Sequence, residues 1–519
     1  MNKIFYLLLS VSVSVGLYAQ TPNWAENVAP ILYNNCTSCH HSGGLAPFSL
    51  MDYQDAANYS SSIKSDVTTR KMPPWPADYK YTQLAHQRVL SNADIKTIQD
   101  WVSAGTPQGD IAKAPTKPTY NGNSLITNPD LTVTIPSYTL QSSIDEYRCF
   151  PVQSKLTKDM YITEIEVLPG NGKVVHHVLV FRDQSNIPFN LDAADTSAGY
   201  LNFGGTGSST SEMIGAWVPG QGLISYPKGL GIKLPAGSNI ILQIHYPGGL
   251  AGEQDQTKVK FKLTAAGNVR DLYISPLLNH STSLINGPLY IPANTTKTFK
   301  AKYITGLDAS ILGVGPHMHL IGKKITVYGI LPTKDTLKMI NIDDWDFHWQ
   351  GFYQFKKVLK LPKGTTLYAD SYYDNTTNNP NNPSSPPKAV SLGEATTDEM
   401  MLVYFTFMGY QKGDENIVID STSDFTGVNG YLLESGSDKI SIYPNPASNY
   451  IHINAKDIPI GNYQIQVYDI AGKCVIDEKR SLNNINTFSL STEMLNNGNY
   501  MLKLSNDQQV FLQKFGVNR

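Results

Sequence analysis

The run Leu131-Thr-Val-Thr-Ile135 alternates apolar and polar residues, which is the period-two pattern of a β-strand with one buried face. The run Ile162-Thr-Glu-Ile-Glu-Val-Leu168 is similar, and short runs of this kind, separated by Gly, Pro and Asn, continue from about residue 124 to 435. Pro380-Asn-Asn-Pro-Ser-Ser-Pro-Pro387 is a loop between them. The region is too long for one ordinary β-sandwich, so we expect one over residues 124–285 and a second over residues 286–435.

A small α-helical domain is expected ahead of the β region, over residues 21–110. In its last segment, residues 93–102, apolar side chains recur on one face of a helix. Asn92 or Ser91 can cap the start of this helix, and Gly105 can end it.

Strand-like runs return at the C-terminal end, over residues 441–519, where Gly472 and Gly498 mark turns and a small β-sandwich is predicted. A polar, Pro-rich linker over residues 111–123 separates the helical domain from the β region. The expected fold class is therefore multidomain and mainly β. The 519 residues suit three or four domains, and the net charge of −2 gives no indication of a nucleic acid or membrane surface as partner.

The first twenty residues, 1–20, predict a signal peptide. Lys3 supplies the positive start, the apolar run Ile4 to Leu17 follows, and Tyr18-Ala19-Gln20 lies near the expected cleavage site. A membrane anchor is the alternative, but this run is short for an ordinary membrane span. The sequence has no other long apolar run, so we expect an exported protein with no membrane span in its mature form.

The motif Cys36-Thr-Ser-Cys39-His40 has the C-x-x-C-H spacing of covalent c-type haem attachment. Two thiols about one helical turn apart can reach the two vinyl groups of one porphyrin, and the next residue can place an imidazole on the iron. The alternatives are a disulfide and half of a zinc site, but no second pair of Cys or His lies nearby to complete four zinc ligands. We therefore expect covalent haem c on Cys36, Cys39 and His40.

The best candidate for the sixth iron ligand is Met72, because the two prolines after it restrict the backbone as a ligand loop requires. Met72 could instead simply pack, and His41 and His86 are weaker candidates. The block resembles cytochrome c in its N-terminal haem motif, its Met loop and its C-terminal helix with Trp101. Such domains usually transfer electrons and do no chemistry on substrates.

Five histidines fall in three short motifs of the β region: Val175-His176-His177-Val178, Gln243-Ile-His245-Tyr-Pro247 and Pro316-His317-Met-His319-Leu320. Side chains alternate along a strand, so His317 and His319 share a face and can bind one ion. Adjacent His176 and His177 reach one metal only at a strand end, at a bulge or through different ring nitrogens. Imidazole serves copper and zinc alike, whereas a thioether, as in Asp398-Glu-Met-Met401, selects Cu(I). The pattern predicts two imidazole-rich metal sites.

The same motifs, in the same order, resemble the copper type II ascorbate-dependent monooxygenases, which include peptidylglycine α-hydroxylating monooxygenase and dopamine β-hydroxylase. The resemblance covers about residues 145 to 410, and the matching stretches are Tyr147-Arg-Cys-Phe150, His176-His-Val-Leu179, Ile214-Gly-Ala-Trp-Val-Pro-Gly220, Leu242-Gln-Ile-His-Tyr246, His317-Met-His-Leu-Ile-Gly-Lys323 and Asp398-Glu-Met400. It implies two jelly-roll-like sandwiches, each holding one of two copper ions across a cleft.

Carried over motif by motif, the resemblance assigns His176, His177 and His245 to an electron-storing copper. It assigns His317, His319 and Met400 to the copper that meets dioxygen, and these three would be the catalytic ligands. Met401 replaces Met400 if the register is shifted by one. The implied reaction is hydroxylation of a C–H bond in a small-molecule or peptide-like substrate, with O2 as co-substrate.

Three departures from the family pattern bear on function. Gly315-Pro316 precedes His317, where the amidating enzyme carries an arginine that grips a substrate carboxylate, which argues against peptide amidation. Animal members are rich in disulfides, whereas Cys149 and Cys474 lie far apart, so Cys149 is interpreted as a free buried thiol. Animal members take electrons from ascorbate, whereas here we expect the haem domain to pass them from an external electron donor to copper.

The last block resembles the type A C-terminal sorting domain of Bacteroidetes, on the stretches Tyr443-Pro-Asn-Pro446, Val467-Tyr-Asp-Ile-Ala-Gly472 and Gly498-Asn-Tyr-Met-Leu-Lys-Leu504. This implies recognition by the type IX secretion machinery, export through the periplasm, and a final place at the cell surface or outside the cell. The alternative is an accessory module that binds carbohydrate or protein.

The remaining aromatic and histidine residues are interpreted as structural. Trp345-Asp-Phe-His-Trp349 is assigned to core and strand surface rather than to a substrate cleft, His348 has nothing to pair with, and His280 and His452 carry no assigned chemistry. Two other functions stay open: a non-catalytic extracellular electron-transfer or copper-binding protein, and a binding module that has lost a site. The full ligand set counts against the second.

Overall fold

The computed structural model describes residues 21–44, 46–120, 124–421, 440–455, 461–469, 474–482, 487–505 and 510–519. The chain divides into two compact units, Met1–Thr422 and Ser423–Arg519. The predicted signal peptide lies outside the described residues. None of the helices within those ranges is long and apolar enough to cross a membrane.

The helical block starts with a π-helical turn and continues with α1 (Ala29–Asn35), α2 (Tyr53–Asn58), α3 (Ser60–Thr68) and α4 (Asn92–Ser103). The predicted last helix is confirmed as α4, with Ser91 as its cap: the Ser91 hydroxyl accepts the N–H of Asp94. Gly105 follows the helix at φ +83°, a conformation that glycine adopts without strain. Trp101 packs in the core of this block against the helices before it.

The first sandwich has thirteen strands: β1 (Leu131–Thr134), β2 (Tyr138–Thr139), β3 (Glu146–Gln153), β4 (Met160–Leu168), β5 (His177–Asp183), β6 (Tyr200–Leu201), β7 (Glu212–Trp217), β8 (Ile224–Ser225), β9 (Leu230–Leu234), β10 (Asn239–Tyr246), β11 (Gln254–Asp255), β12 (Lys258–Ala265) and β13 (Arg270–Asp271). One sheet has the order β1-β12-β4-β9-β13 with β8 beside β4, and the other β6-β3-β10-β5-β7. Their facing apolar side chains form one core, in which Val133 and Ile165 are buried, as the alternating pattern predicts, together with Ile244 of the fully buried strand β10. A short helix that the pattern did not predict, α5 (Ile187–Ala194), follows β5.

The second sandwich contains ten strands: β14 (Tyr273–Asn279), β15 (Tyr290–Ile291), β16 (Thr295–Ile304), β17 (Ala309–His317), β18 (Gly322–Ile330), β19 (Thr336–Ile342), β20 (Tyr353–Leu361), β21 (Thr366–Asn375), β22 (Val390–Ser391) and β23 (Leu402–Gly409). The sheets β14-β23-β17-β20 and β16-β21-β18-β19 enclose its core. Because β13 pairs with β9 whereas β14 pairs with β23, the second sandwich begins before the boundary expected at residue 285.

The helical block lies against both sandwiches. Ala77 and Leu84 form β-bridges with Ile342 and Phe355 of the second sandwich. On the other side, the Arg88 guanidinium donates to the carbonyl of Gly220 in the first sandwich at 2.8 Å. The segment that follows the Met72 loop therefore contacts both β-domains.

The C-terminal unit is a small pair of sheets. Its strands are β24 (Ser441–Tyr443), β25 (Tyr450–Asn454), β26 (Gly461–Tyr468), β27 (Cys474–Leu482), β28 (Thr487–Ser491), β29 (Gly498–Ser505) and β30 (Val510–Val517). The orders are β24-β25-β28 and β27-β26-β29-β30, with side chains such as Ile451, Ile465 and Leu504 buried in one core. The described chain is thus mainly β, as expected from the sequence.

Candidate metal centres

Three histidines of the first sandwich converge at one end of neighbouring strands. His245 in β10 lies directly opposite His177, the first residue of β5. His176 precedes that strand, and its backbone N–H donates to the His245 carbonyl at 2.9 Å. Regular pairing of β5 therefore begins at the His-His pair, which is the strand-end condition under which adjacent histidines can face one ion.

The Nδ1 atoms of this cluster have metal-ligand spacing. The Nδ1 atom of His176 lies 3.0 Å from Nδ1 of His245 and 3.3 Å from Nδ1 of His177. One ligand atom from each of the three rings lies within 4.8 Å of the other two. Two nitrogens bound to one ion at about 2 Å each lie roughly 3 Å apart. We call His176, His177 and His245 the three-histidine site.

Burial keeps the imidazoles of His176 and His177 neutral, which is the form that binds metal. It lowers the pKa of His176 to about 3 and that of His177 well below its ordinary value, and the neighbouring imidazoles add to both shifts. The Tyr147 ring, opposite His245 in β3, stacks on the His245 ring at 4.2 Å and an interplanar angle of 6°. The ring plane of His245 is therefore fixed by packing.

Asp145 sets the orientation of His245 from outside the cluster. Its Oδ2 lies 3.4 Å from Nε2 of His245, and the carboxylate also accepts the Gly248 N–H and the Thr396 hydroxyl. His245 first, and the other donors after it, hold the pKa of Asp145 far below its usual range. A carboxylate facing Nε2 favours the tautomer with its proton there, which leaves Nδ1 for a metal. Asp145 is a hundred residues from His245 in the chain, so the motifs alone do not reveal this carboxylate.

The second sandwich carries the other pair of histidines. His317 ends β17 and His319 lies two residues beyond, with the two ring centroids 5.1 Å apart. Nδ1 of His317 is 2.5 Å from Oε1 of Gln350, and Nδ1 of His319 is 3.1 Å from the carbonyl oxygen of Asp398. Because both acceptors are carbonyl oxygens, each Nδ1 carries the proton and each Nε2 is free. Burial lowers the pKa of His317 to about 4 and that of His319 to about 3.

Met400 and Met401 differ in their surroundings. The Met401 sulfur accepts the Ser371 hydroxyl at 3.1 Å within the core of the second sandwich. Met400 instead lines a cavity together with His317 and His319. The geometry favours Met400 as the thioether ligand, and we call His317, His319 and Met400 the methionine site.

Glu399 connects the two segments that carry the methionine site. Its buried carboxylate accepts four backbone N–H groups: those of Ile321 (2.8 Å) and Gly322 (3.1 Å) on Oε1, and those of His319 (2.9 Å) and Met400 (3.1 Å) on Oε2. Burial raises the pKa of Glu399 to about 8, and the four donors oppose that rise. The Glu399 side chain thus connects the loop after β17 to the segment before β23 through these hydrogen bonds.

Both clusters open onto a cavity of about 700 Å³, which we call the central cavity. His177, His317, His319 and Met400 form one part of its lining. The rest is largely apolar and aromatic, with contributions from Leu179, Phe181, Val218, Ile274, Phe352, Leu402, Tyr404 and Phe407. The volume is typical of a small-molecule site.

Trp345 and Phe347 are buried, in agreement with the interpretation of residues 345–349 as core and strand surface. Phe347 also lies between the two clusters: its ring stacks on His176 at 5.0 Å and meets His319 edge-on at 5.7 Å. His280 accepts the Met401 N–H on its Nδ1, which is a structural contact, and it also lines the central cavity. No local pattern signals these contacts, since their partners lie in distant segments.

The haem motif follows α1, with Cys36, Cys39 and His40 in one turn. Neither cysteine forms a disulfide, and burial raises the pKa of Cys36 to about 12. Nδ1 of His40 lies 3.2 Å from the Phe48 carbonyl oxygen, which leaves Nε2 free, as an iron ligand requires. These residues fit a covalently bound haem.

Met72, the candidate for the sixth iron ligand, follows α3. It lines a small cavity beyond α3 with Trp75 and Arg88. Burial lowers the pKa of Arg88, and the nearby Cys39 acts in the opposite direction, so Cys39 and the Met72 cavity share Arg88 as a neighbour. Of the weaker candidates, His41 stacks on Tyr120 and His86 is exposed.

Cys149 is buried in β3 and forms no disulfide, in agreement with its interpretation as a free thiol. Its Sγ lies 3.5 Å from the Gly205 carbonyl oxygen, to which it donates. Burial raises its pKa to about 12, so it stays a neutral thiol.

Three parts of the chain match family models. Residues 131–249 match the N-terminal domain of copper type II ascorbate-dependent monooxygenases, and residues 292–424 match the C-terminal domain of the same family. Residues 441–518 match a secretion system C-terminal sorting domain, which marks the chain for export to the cell surface or the outside.

Two curated relatives match the central region. A tyramine beta-hydroxylase from Caenorhabditis briggsae is 26% identical over 239 residues, which is 42% of this chain and 38% of the relative. The dopamine beta-hydroxylase of Bos taurus is 26% identical over 228 residues, 40% of this chain and 36% of the relative. The chain thus spans less than two-fifths of either relative. Among solved structures, a beta-glucuronidase from Parabacteroides merdae aligns at 12% identity, over 43% of this chain and 29% of the glucuronidase chain. The TM-score of this alignment is 0.13, which is too low to define a shared fold.

Proposed function

We propose that this chain is an exported copper-dependent monooxygenase that hydroxylates a C–H bond with O2, because residues 131–249 and 292–424 match the two domains of the copper type II ascorbate-dependent monooxygenases. One observation carries the proposal: a three-histidine site and a methionine site open onto the same cavity. A copper-storage protein has no need of a shared, largely apolar cavity, whereas an oxygenase has to hold an unreactive carbon beside its metal.

The ligand atoms suit copper. Buried neutral imidazoles bind copper and zinc alike, but a thioether beside two imidazoles selects Cu(I) and argues against zinc. Bound at these two sites, copper would supply one-electron redox chemistry and the activation of O2. We expect His176, His177 and His245 to hold one ion, and His317, His319 and Met400 to hold the other.

The protein's own contribution is orientation. Asp145 faces Nε2 of His245, and carbonyl oxygens of Gln350 and Asp398 accept from Nδ1 of His317 and His319. Each partner fixes which ring nitrogen carries the proton, so the other nitrogen needs no rearrangement to bind metal. The apolar walls of the central cavity would exclude water from the reacting carbon.

We propose that the substrate is a small molecule rather than a peptide bound through its carboxylate. At Gly315, two residues before His317, an added Cβ would lie 2.8 Å from the Phe352 ring, so a long cationic side chain has no room there. The curated relatives are named for the amines tyramine and dopamine, which makes small amines the first compounds to test. Glu394 supplies a carboxylate to the central cavity that could pair with an amine.

We also propose that the helical block carries haem c on Cys36, Cys39 and His40 and delivers electrons to the copper region. The contacts of the Met72 loop support direct electron transfer from the haem to the copper region. Trp75, three residues after Met72, packs edge-on against Tyr353 at 5.1 Å. Trp75, Tyr353 and Gln350 line a second cavity of about 530 Å³, and Gln350 contacts His317. Haem bound to Cys36, Cys39 and His40 would supply one-electron transfer.

The first experiment measures copper and haem content of the purified mature protein, followed by O2 uptake with reductant and candidate amines. We expect two copper ions and one haem per chain, and O2 uptake that depends on substrate. Bound copper with no substrate-dependent uptake across those compounds would favour an electron-transfer or copper-binding protein. No copper after reconstitution would refute the monooxygenase assignment.

Rapid mixing tests the electron route. Reduced haem in the copper(II)-loaded protein should reoxidise, and Trp75→Leu should slow this step. Tyr79→Leu is the matched control, because Tyr79 lines the Met72 cavity but not the second cavity. If reduced haem in the parent protein does not reoxidise on copper loading, the haem route is wrong even if copper is bound.

A further inference from the structure

A five-residue turn, Asp346–Gln350, lies between the two candidate copper sites. Its geometry is fixed internally at both ends. The Asp346 carboxylate accepts the backbone N–H of His348 at 2.9 Å, and the Gln350 side-chain amide donates to the Phe347 carbonyl at 2.9 Å. We call these residues the bridging turn.

The bridging turn contacts three of the five candidate ligand histidines. Phe347 touches His176 of the first sandwich and His319 of the second, with ring centroids 5.0 Å and 5.7 Å away. Gln350 contacts His317 through its side-chain oxygen. One short segment of the second sandwich therefore packs against imidazoles that belong to both sites.

The orientation of the Gln350 amide follows from its two partners. A carbonyl oxygen can only accept, so the Gln350 group that faces the Phe347 carbonyl has to be the NH2. Its Oε1 then faces His317, whose Nδ1 carries the proton and donates it. The tautomer of His317, with Nε2 as the free ligand atom, is thus determined by a hydrogen-bond chain that starts at the backbone of Phe347.

We propose that Gln350 and Phe347 are positioning residues for the copper ligands. Gln350 fixes the tautomer of His317, and Phe347 holds the rings of His176 and His319 in the arrangement that lets both sites share the central cavity. The inference rests on the proposed function, because it takes these histidines as copper ligands. A merely structural turn would stabilise the sandwich without setting the metal affinity of one site.

Copper affinity tests the role of Gln350, and the two sites are separated by working in two backgrounds. His245→Ala leaves the methionine site, and His317→Ala leaves the three-histidine site. In each background the full-length protein competes with a Cu(I) chelator for copper. Loss of a hydrogen-bond partner to a ligand imidazole typically costs about 10- to 100-fold in metal affinity.

In the His245→Ala background we expect Gln350→Leu to weaken copper binding by about 10- to 100-fold, and Gln350→Glu, which keeps the acceptor oxygen for His317 but loses the NH2 that donates to Phe347, to recover part of it. Gln354→Leu is the matched control, because Gln354 lines the second cavity and donates to Ser225 without contacting a histidine. In the His317→Ala background all of these variants should bind like their parent. Parent-like binding by Gln350→Leu in the first background, or equal weakening by Gln354→Leu, would overturn the proposal.

The distance between two bound Cu(II) ions, measured by pulsed electron paramagnetic resonance, tests Phe347. We expect Phe347→Ala to broaden the distance distribution and Trp349→Ala, which removes a neighbouring ring of the second cavity, to leave it unchanged. An unchanged distribution in Phe347→Ala would refute the role of that ring.

A separate readout needs no copper. In the metal-free protein with 15N-labelled histidine, the ring-nitrogen chemical shifts of His317 should report a proton on Nδ1 in the parent and a mixture of tautomers in Gln350→Leu. A parent tautomer mixture would overturn the inference while leaving the monooxygenase proposal standing. A parent protein that binds no copper would instead refute the proposed function, and the positioning role with it.

Discussion

Replacing Glu399 with Gln should release part of the methionine site from its support. The carboxylate of Glu399 accepts two backbone N–H groups on each oxygen. In Gln, one of these positions becomes an NH2 group, which cannot accept and which faces two N–H donors at close range. Two of the four hydrogen bonds are therefore lost, either those of Ile321 and Gly322 or those of His319 and Met400.

Above about pH 8, where the Glu399 carboxyl is ionised, the expected magnitude follows from the charge of the acceptor. A hydrogen bond to a charged group contributes about 1.5–3 kcal/mol, so the loss of two should cost about 3–6 kcal/mol of local stability. Each 1.4 kcal/mol is roughly a tenfold change in an opening equilibrium, so each affected amide should exchange about 10- to 150-fold faster. This local measure suits a multidomain chain, where one free energy of unfolding is not well defined.

Hydrogen–deuterium exchange with mass spectrometry can follow peptides that cover residues 317–323 and 398–402. If the amides of Ile321 and Gly322 are released, we expect only the 317–323 peptides to lose protection; if those of His319 and Met400 are released, we expect both peptide regions to lose it. Glu394→Gln is the control, since among the described residues Glu394 has no hydrogen bond or ion pair. Exchange at the parent rate in Glu399→Gln would mean that the Glu399 carboxyl is already neutral and that our account of its four bonds is wrong.

Three further predictions concern the ligands themselves. Met400→Leu should remove the copper–sulfur contribution from the X-ray absorption spectrum of the Cu(I) protein, and Met401→Leu should retain it; the reverse result would assign the thioether to Met401. Asp145→Asn should weaken copper binding at the three-histidine site by about 10- to 100-fold, measured by chelator competition in the His317→Ala background, and unchanged binding would remove Asp145 from the orientation of His245. His317→Ala should abolish substrate-dependent O2 uptake while the haem absorption spectrum stays intact. Loss of that spectrum would mean that the assignment of haem and copper to separate domains is wrong.

Local sequence patterns predict several helices and strands of the fold. The last helix of the first block was predicted from the spacing of Ile95, Ile98 and Trp101, and these three side chains are buried. Alternation placed Val133 and Ile165 in the core for the same reason, because each pattern reports the face of its own element. The helix Ile187–Ala194 was missed because it is short, and two turns of helix give little periodicity to detect.

The domain boundary shows where local patterns end. Tyr273–Asn279 reads as a strand in either sandwich, and only its pairing with Leu402–Gly409, more than a hundred residues later, assigns it to the second. Position in a sheet is decided by partners that are distant in sequence, so the length of the region, from which the boundary near residue 285 is expected, does not locate the structural boundary before Tyr273.

The residues of the candidate site also fall into those that the sequence predicts and those that only the structure shows. Histidines and methionine can be found from residue type and motif, because metal binding needs those ligand atoms. Asp145, Phe347 and Gln350 act by contact with ligands from distant segments, and Asp, Phe and Gln are common enough that nothing marks them beforehand. The choice between Met400 and Met401 also required the structure, since only the surroundings distinguish a core methionine from one that lines the cavity.

The supports of the three-histidine site come from both sandwiches. His245 is oriented by Asp145, which in turn accepts the hydroxyl of Thr396 from the second sandwich, and His176 packs against Phe347 of the bridging turn. All three ligands belong to the first sandwich, but their surrounding contacts are complete only when the two sandwiches are docked. By linkage, whatever free energy docking adds to copper binding, copper binding adds to docking. We therefore expect copper loading at the three-histidine site to strengthen the contact between the sandwiches, which is the contact that holds the two proposed copper sites at a defined separation.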